Sequence, residues 1–437
     1  MLDIKYIRDN SDKIKEAAQN KNIEVDIDRL LQLDEKKRDL QGQLDELKSQ
    51  RKKAAQNTGG GQPSQEQIEK GKELKQKIQE LEEEYKKIEQ ERETLMAQVP
   101  TVPSEDTPIG EDDDENVEVE RHGEPTSFDF EPKDHIQLGK DLDLLDLDRG
   151  VKVAGYRGYY LKNEAAILQT AIMMHALTKL MGKGFIPVIP PTLVKSFPLF
   201  GSGFFADKQY NPDVDEIYKI ANDEVLSDGS VKKEDKFLVG TAEPSLLAYY
   251  ADEILEEKDL PVKFCGFSQC YRSEIGSYGK DTKGIYRIHE FMKVEQVVIS
   301  PANMEQAEQY HQEIMQISSE LHQELGLPYR WVQVCTGDMG KPKYKMFDIE
   351  AWMPSRGDYG ETGSASNCLD WQARRLNVKY KDGEGNKKYT YMLNNTALAS
   401  PRILIPLLEN HQQEDGSVKI PEVLRKYFPN NQEKISP

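Results

Sequence analysis

Residues Phe267–Glu295 read FSQCYRSEIGSYGKDTKGIYRIHEFMKVE, and the folding of this stretch decides the rest of the chain. It reads as two β-strands joined by a long polar loop. From Arg287 onward, side chains alternate between two faces. One face carries Arg287, His289, Phe291, Lys293 and Glu295. The other carries Ile288, Glu290, Met292, Val294, Gln296 and Val298, and is mostly apolar. On the incoming strand Arg272 and Glu274 share a face. Arginines, a lysine, a phenylalanine and carboxylates are thus expected on one sheet surface. Arginine grips phosphate through a rigid fork of N–H donors, and a ring among such charges can hold a base by stacking. The loop Gly276–Gly284 has three glycines, two lysines and an aspartate, a composition suited to a flap over an anion.

YRSEIGSYGKDTKGIYRIHEFMKVEQ resembles the second signature motif of class II aminoacyl-tRNA synthetases, Phe/Tyr-Arg-x-Glu followed by a loop and a strand, in its seryl-tRNA synthetase form. That resemblance implies an α+β fold: an antiparallel-sheet catalytic domain with an N-terminal antiparallel coiled-coil arm. It also implies an ATP-dependent ligase that charges tRNA(Ser), with tRNA(Sec) as a second candidate, using L-serine, ATP and Mg²⁺ as a homodimer. The resemblance is tested against the remaining chain.

At 437 residues, two or three domains are expected. Hydrophobic content of 37% leaves enough for a core, while 31% charged residues give a polar surface. No apolar run is long enough for a membrane span. MLDIKYIRDN has no apolar signal core, which points to the cytoplasm. Four cysteines are too few for a disulfide framework. Cys265 and Cys270 are five apart, so on a strand they face opposite ways and do not share a metal. A formal net charge of -19 disfavours nucleic acid over most of the surface, so any such contact needs a local basic region.

That region lies near the N-terminus. After a short helical cap over 1–26, residues 27–98 contain one proline, Pro63, and one aromatic, Tyr85. Leu30, Leu33, Lys37, Leu40, Leu44, Leu47, Arg51 and Ala54 follow alternating steps of three and four. So do Ile68, Gly71, Leu74, Ile78, Leu81, Tyr85, Ile88, Arg92 and Leu95, after one extra step of three. This is coiled-coil spacing. The two series mirror each other: Leu33 with Ile88, Leu40 with Leu81, Leu44 with Ile78 and Leu47 with Leu74 all sum to 121 or 122. An antiparallel hairpin over 27–98 is predicted, folding at Gly61 in the helix-breaking tip near 57–64. Between Lys48 and Lys77, eight basic residues face three acidic ones. Such an arm buries too little to exist for stability, so it reads as a probe for a nucleic-acid backbone. In the family it resembles, this arm reaches the long variable arm of tRNA(Ser). The domains expected are 1–98, tRNA-binding; 99–125, a proline-containing acidic linker that builds no core; and 126–437, catalytic.

Within the last region, Asn163–Met181 is a helix starting at an asparagine cap, followed by the strand in GKGFIPVIPP. This resembles the first class II motif, with Pro191 as its proline, which builds the dimer interface. In FLVGTAEPSLL a strand ends at Gly240 and a helix opens, with capping chemistry in Thr241 and Glu243. By resemblance Thr241, Ala242 and Glu243 bind serine. Asp348 and Glu350 precede an apolar strand, and Glu361 sits with Thr362, Gly363 and Ser364 in a Gly/Ser segment. A carboxylate beside hydroxyls suits a hard cation; by resemblance Glu361–Ser364 bind ATP, with Glu361 and Ser364 holding Mg²⁺. In YMLNNTALASPRILIPLLEN a strand ends near Asn394 and a helix begins near Pro401. Arg402 then lies in the first turn, where a cation is disfavoured unless an anion binds.

The third class II motif is similar, and implies that Arg402 holds the γ-phosphate. Many relatives read Asn-Gly-Ser with a later Gly-Arg where this chain has NNTALASPR, which keeps a hydroxyl at Thr396 and the arginine. The resemblance further implies Arg272 on the α-phosphate and Ser273, Glu274, Arg287, Ile288 and Phe291 around ATP. Glu295, Asn394 and Thr396 would complete the serine site, and Arg272, Arg402 and Glu361 would be the catalytic set. Two other readings remain: a paralogue that charges a carrier protein, and an inactive coiled-coil adaptor. The long arm speaks against the first and the intact charged set against the second.

Overall fold

The quoted stretch does form two long antiparallel strands, β3 (Val262–Tyr271) and β4 (Glu290–Ser300). They pair in register from Val262 opposite Ile299 to Tyr271 opposite Glu290. The structure, a computed structural model, describes residues 1–56, 64–205, 210–221, 224–225, 227–232, 234–275 and 283–437. These form two compact units, Leu2–Pro100 and Thr101–Pro437.

The first unit is helical: α1 (Ile4–Asp9), α2 (Ser11–Asn20), α3 (Ile27–Gln56) and α4 (Gln65–Gln98). Asp26 caps α3, its carboxylate accepting from Arg29 N at 2.8 Å. At 1.5 Å per residue the long pair spans about 45 and 51 Å. Leu33, Leu40 and Ile88 share one buried cluster, with Leu81, Tyr85 and Leu95 packed on it. Charged seam positions are neutralised across the pair. Lys37 Nζ reaches Glu89 at 2.9 Å and lies 5.4 Å from the Tyr85 ring, while Arg92 Nε donates to Asp34 at 2.9 Å. Toward the outer end the seam opens, and Ile68 is exposed. The expected fold point at Gly61 lies outside the described residues.

The second unit is built on a sheet of eight strands among the described residues. In chain order they are β1 (Val117–His122), β2 (Ile186–Val188), β3, β4, β5 (Tyr329–Gln333), β6 (Lys345–Met353), β7 (Asp358–Asn367) and β8 (Tyr391–Ser400). Their order across the sheet is β1-β5-β6-β7-β8-β4-β3-β2. Neighbours are antiparallel except β2, which runs parallel to β3 at the edge. Helices α5 (Asn163–Gly182) and α7 (Met304–Glu324) cover one face. There Leu168, Ile172, Ile314 and Leu321 pack with Val294, Val298 and Leu398 in the main core. The opposite face carries α6 (Glu243–Leu247) and α8 (Trp371–Leu376) over Val262, Val297 and Met392. Gly266 lets α6 rest on the sheet: a Cβ there would meet Leu246 Cδ1 at 2.7 Å and Ala242 Cβ at 2.9 Å.

Several expectations need correction. Segment 99–125 is not a bare connector. Thr101, Ser104 and Thr107 are buried, Thr101 N and Ser104 N donate to Lys341 O and Tyr344 O, and Val117–His122 pairs with β5 as the sheet's edge strand. Its acidic run is exposed as expected, but the backbone donors on either side found partners in the catalytic unit. Helix α5 has Lys162, not Asn163, at its cap; Asn163 instead donates its side-chain amide to Asp143 O. Asp348 and Glu350 lie within β6 rather than before it. Strand β8 runs on past Asn394 to Ser400, and the next helix, α9, is Leu404–Asn410. Arg402 therefore stands in the turn before a helix, not in its first turn, and the macrodipole argument for it lapses.

Candidate active site

Two bulges set which side chains reach the open face of the sheet. Between β4 and β8 the register shifts at Val294/Glu295, leaving Ala397 unpaired between Thr396 (opposite Glu295) and Leu398 (opposite Val294). Between β6 and β7 it shifts at Ile349/Glu350, leaving Thr362 unpaired. An extra residue re-aims its neighbours. Here Thr396 and Ala399 both share a face with the Lys293–Glu295 side of β4, while Asn395 and Gln296 turn back to Ile314 O and Ser318.

A cleft opens at this face, lined by Arg272, Glu274, Tyr286, Ile288, Phe291, Lys293, Glu361, Thr362, Gly363, Thr396 and Arg402, among others. Arg272 and Arg402, 130 positions apart, thus share one cavity. The Arg272 guanidinium lies 5.3 Å from the Phe291 ring, a cation–π contact. Arg272 N donates to His289 O, and His289 Nδ1 donates back to Arg272 O at 2.9 Å, so the histidine steadies this backbone. Arg402 Nε donates to Tyr286 O at 3.0 Å, and its Nη1 reaches the Glu361 carboxylate at 3.1 Å. The Tyr286 ring backs Arg402 at 4.5 Å. Glu274 is held by Arg287 at 2.7 Å and Arg157 at 3.6 Å.

Deeper along the same face the site changes character. Glu243 is buried, and its Oε1 accepts from Gln372 Nε2 at 2.7 Å and Asn394 Nδ2 at 3.0 Å. Glu295 is also buried; its Oε2 meets Lys293 Nζ at 2.8 Å and the Thr396 hydroxyl at 3.4 Å. Lys293 Nζ also donates to Thr396 Oγ1 at 3.0 Å. Burial pushes the Glu295 carboxyl up, Glu243 adds to the rise, and Lys293 opposes it. Two carboxylates, an amide and a hydroxyl can receive a small zwitterion bearing an ammonium and a hydroxyl.

The donors proposed for a metal form a partial match. Ser364 stands opposite Asp348 in the β6–β7 register. Burial, reinforced by Glu361, drives the Asp348 carboxyl well above its ordinary range, and its Oδ1 has no hydrogen-bond partner. An orphaned oxygen beside a hydroxyl and a second carboxylate fits a hard divalent cation. Among the described residues, no group of three or more His, Cys, Asp and Glu side chains is arranged as a metal-ligand set.

Sequence-predicted residues divide cleanly. Arg272, Glu274, Ile288, Phe291, Glu361, Thr362, Gly363, Thr396 and Arg402 line the cleft. Glu243, Glu295 and Asn394 join in the deeper cluster, where Thr241 Oγ1 lies 3.4 Å from Glu243 N. Ala242 packs in the apolar core beneath α6. Ser273 Oγ is buried without a partner, and Arg287 reaches the cleft through Glu274. Thr362 turns its hydroxyl to the covered face, against His322 Nε2 at 2.9 Å and Ile349 O at 3.1 Å, so its backbone is what faces the cleft. Strand alternation assigned Arg287 to the site face and Ile288 to the other; β4 starts at Glu290, so alternation does not extend that far, and Ile288 lines the cleft. Of the flap expected at 276–284, residues 276–282 lie outside the described residues.

Sequence reasoning missed Tyr286, Gln372 and Glu216. Glu216 faces Glu274 and the arginines at 157, 272 and 287, and burial with Glu274 raises its pKa. Tyr286 was legible as an aromatic two residues from Ile288. Gln372 and Glu216 carried no local signal, because their roles arise from distant segments.

Residues 224–411 match the family model of the tRNA synthetase class II core domain (G, H, P, S and T). Residues 1–103 match the seryl-tRNA synthetase N-terminal domain. Similar curated proteins include the serine–tRNA ligase of Dictyoglomus thermophilum, 44% identical, and that of Treponema denticola, 41% identical, each over 98% of both chains. The chain belongs to the serine–tRNA ligase family. Similar solved structures are seryl-tRNA synthetase from Pyrococcus horikoshii complexed with ATP and cytoplasmic serine–tRNA ligase from Naegleria fowleri in complex with AMP. The first has a TM-score of 0.87, 37% identity and full coverage of both chains. The second has a TM-score of 0.83 and 30% identity over 99% of this chain and 97% of the other.

Proposed function

We propose that this protein activates L-serine with ATP to seryl-adenylate and transfers the seryl group to the 3′ end of tRNA(Ser). The observation that carries the reading is the joining of two arginines, Arg272 and Arg402, in one cleft that borders a buried amino-acid-sized polar cluster. ATP binds with its α-phosphate on Arg272, its γ-phosphate on Arg402 and adenine on Phe291; Glu274 accepts from the base. Arg402 exchanges its carboxylate partner Glu361 for phosphate. Mg²⁺, when bound, neutralises phosphate charge; Glu361 and Ser364 would hold it, with Asp348 behind them.

Glu295 and Glu243 receive the serine ammonium and hydroxyl, and Asn394 and Thr396 fix their orientation. A serine carboxylate oxygen attacks the α-phosphorus, the bond to pyrophosphate breaks, and fixed positive charge offsets the developing charge. A hydroxyl of the terminal tRNA ribose then attacks the acyl carbon, and AMP leaves. No side-chain nucleophile is required, because positioning supplies the rate. Threonine is rejected by size, and alanine by the hydrogen bonds it leaves unmade.

The basic half of the hairpin supports contact with tRNA backbone, largely by shape. tRNA(Sec) is a second substrate of the same kind. Exposed Ile186 and Ile189, in and just after β2, support a homodimer through the segment that resembles the first motif. No helix of the described residues is long and apolar enough to cross a membrane, and the proposed place of work is the cytoplasm. Pyrophosphate exchange into ATP, run with each of the twenty amino acids, tests the reading. Serine should stand alone or nearly so; exchange with another amino acid, or with none, overturns it.

A further inference from the structure

The function proposed above assigns no task to Lys293, yet this side chain is placed to matter. It stands on β4 two residues before Glu295, on the same face, and is 5% exposed. Lysine is seldom so deeply buried unless paired. Its Nζ lies 2.8 Å from Glu295 Oε2 and 3.0 Å from Thr396 Oγ1, and it lines the cleft that holds Arg272 and Arg402. It thus stands at the border between the phosphate arginines and the buried carboxylates.

We propose that Lys293 is a positioning residue for the amino-acid substrate: it keeps Glu295 charged and aimed, so that the carboxylate can receive the substrate ammonium. The inference rests on the serine-activating reading and deepens it.

The physical problem it solves is specific. Glu295 is buried, and both its burial and the nearby charge of Glu243 disfavour its charged form. A protonated Glu295 would not attract an ammonium. The charged groups facing Glu295 are Lys293 on its own strand, Glu243 at the start of α6, and Lys343 in the segment before β6. Cys270 on β3 also feels the charges of Lys293 and Glu295, and burial raises its thiol, leaving it neutral at ordinary pH. Lys293 is the cation that both hydrogen-bonds Glu295 and reaches Thr396, so it sets charge and geometry together. Arg272 and Arg402 contact neither carboxylate in the hydrogen bonds and ion pairs among the described residues, so loss of Lys293, which borders the cleft, should weaken ATP binding far less than serine binding.

Removing Lys293 raises the Glu295 pKa further, and the charged form then returns as pH rises through that value. The experiment is serine-dependent pyrophosphate exchange on the full chain and on the Lys293→Met and Lys293→Arg variants, between pH 6.5 and 8.5. For Lys293→Met the KM for serine should rise about 30-fold at pH 7, as for a lost charge-assisted contact. The KM for ATP should change less than about threefold, which also reports an intact fold. The serine defect should shrink toward pH 8.5, and Lys293→Arg should recover most of the affinity. An unchanged serine KM, an equal rise for ATP, or a defect flat across pH overturns the inference while the serine-activating reading stands. If the unaltered protein fails to exchange with serine, both fall.

Discussion

The two halves of the site, the cleft and the buried cluster it borders, handle charge in opposite ways. In the half proposed for phosphate the key groups are cations, partly reachable by solvent, and each rests on a partner that an anion can replace: Arg402 on Glu361, Arg272 on the Phe291 ring. In the half proposed for the amino acid the key groups are buried anions, and their partners are side chains fixed by the fold: Gln372 and Asn394 on Glu243, Lys293 and Thr396 on Glu295. The first half waits for a large, highly charged ligand to complete it. The second is complete already and gains affinity only from a ligand of matching size. On the proposed function, discrimination between amino acids belongs in the rigid half, and rate in the exchangeable one.

The comparison can be broken most decisively at Arg402. Arg402→Ala should lower the turnover of pyrophosphate exchange about 10³-fold while leaving the serine KM within a small factor; a large serine effect would merge the two halves. Arg402→Lys should recover little, because an ammonium lacks the fork. Next is Glu243→Ala, which takes the acceptor from two buried amides, leaving Asn394 Nδ2 without it and Gln372 Nε2 with Ser202 O alone. Its serine KM should rise about 30- to 100-fold and its thermal midpoint should fall, a loss of about 2–3 kcal/mol, with ATP affinity retained. A smaller effect, shared by both halves, is expected from Gly363→Ala. A Cβ there meets Thr396 O at 3.0 Å and Ile349 Cγ2 at 3.2 Å, pressing β7 against β8. Overpacking of this kind costs about 1–3 kcal/mol, and both KM values should drift upward together. The smallest effect on exchange, none, is expected from Lys72→Ala with Lys75→Ala in the hairpin. Charging of tRNA should weaken about threefold to tenfold at low salt, with a shallower salt dependence.

How much of this was legible in the sequence depends on whether the determinant was local. The hairpin was, since its periodicity and mirrored positions need no long-range information, and Leu33, Leu40 and Ile88 meet as that symmetry predicts. The residues proposed to hold ATP were named through motif resemblance, and the cleft brings Arg272, Phe291, Glu361 and Arg402 together. What strand alternation could not supply was phase. Ile288 was assigned to the wrong face because the strand begins two residues later, at Glu290. Thr362 lines the cleft by its backbone, and its bulge turns the hydroxyl to the covered face, which alternation does not foretell. The acidic segment 99–125 was read from composition as solvated, and composition says nothing of backbone donors that pair with β5 and the residues before β6. Gln372 is silent in sequence because its partner, Glu243, lies 129 positions away.

The unpaired Ala397 has a consequence for how this enzyme could change over evolutionary time. It divides one strand into two stretches whose side-chain phase is set separately: Asn394 and Thr396 on one side, the approach to Arg402 on the other. Substitutions in the lower stretch can reshape which small molecule is accepted, and the arginine beyond the kink keeps its aim. Deleting that single alanine would couple the stretches, and a gain in either would then come at the expense of the other.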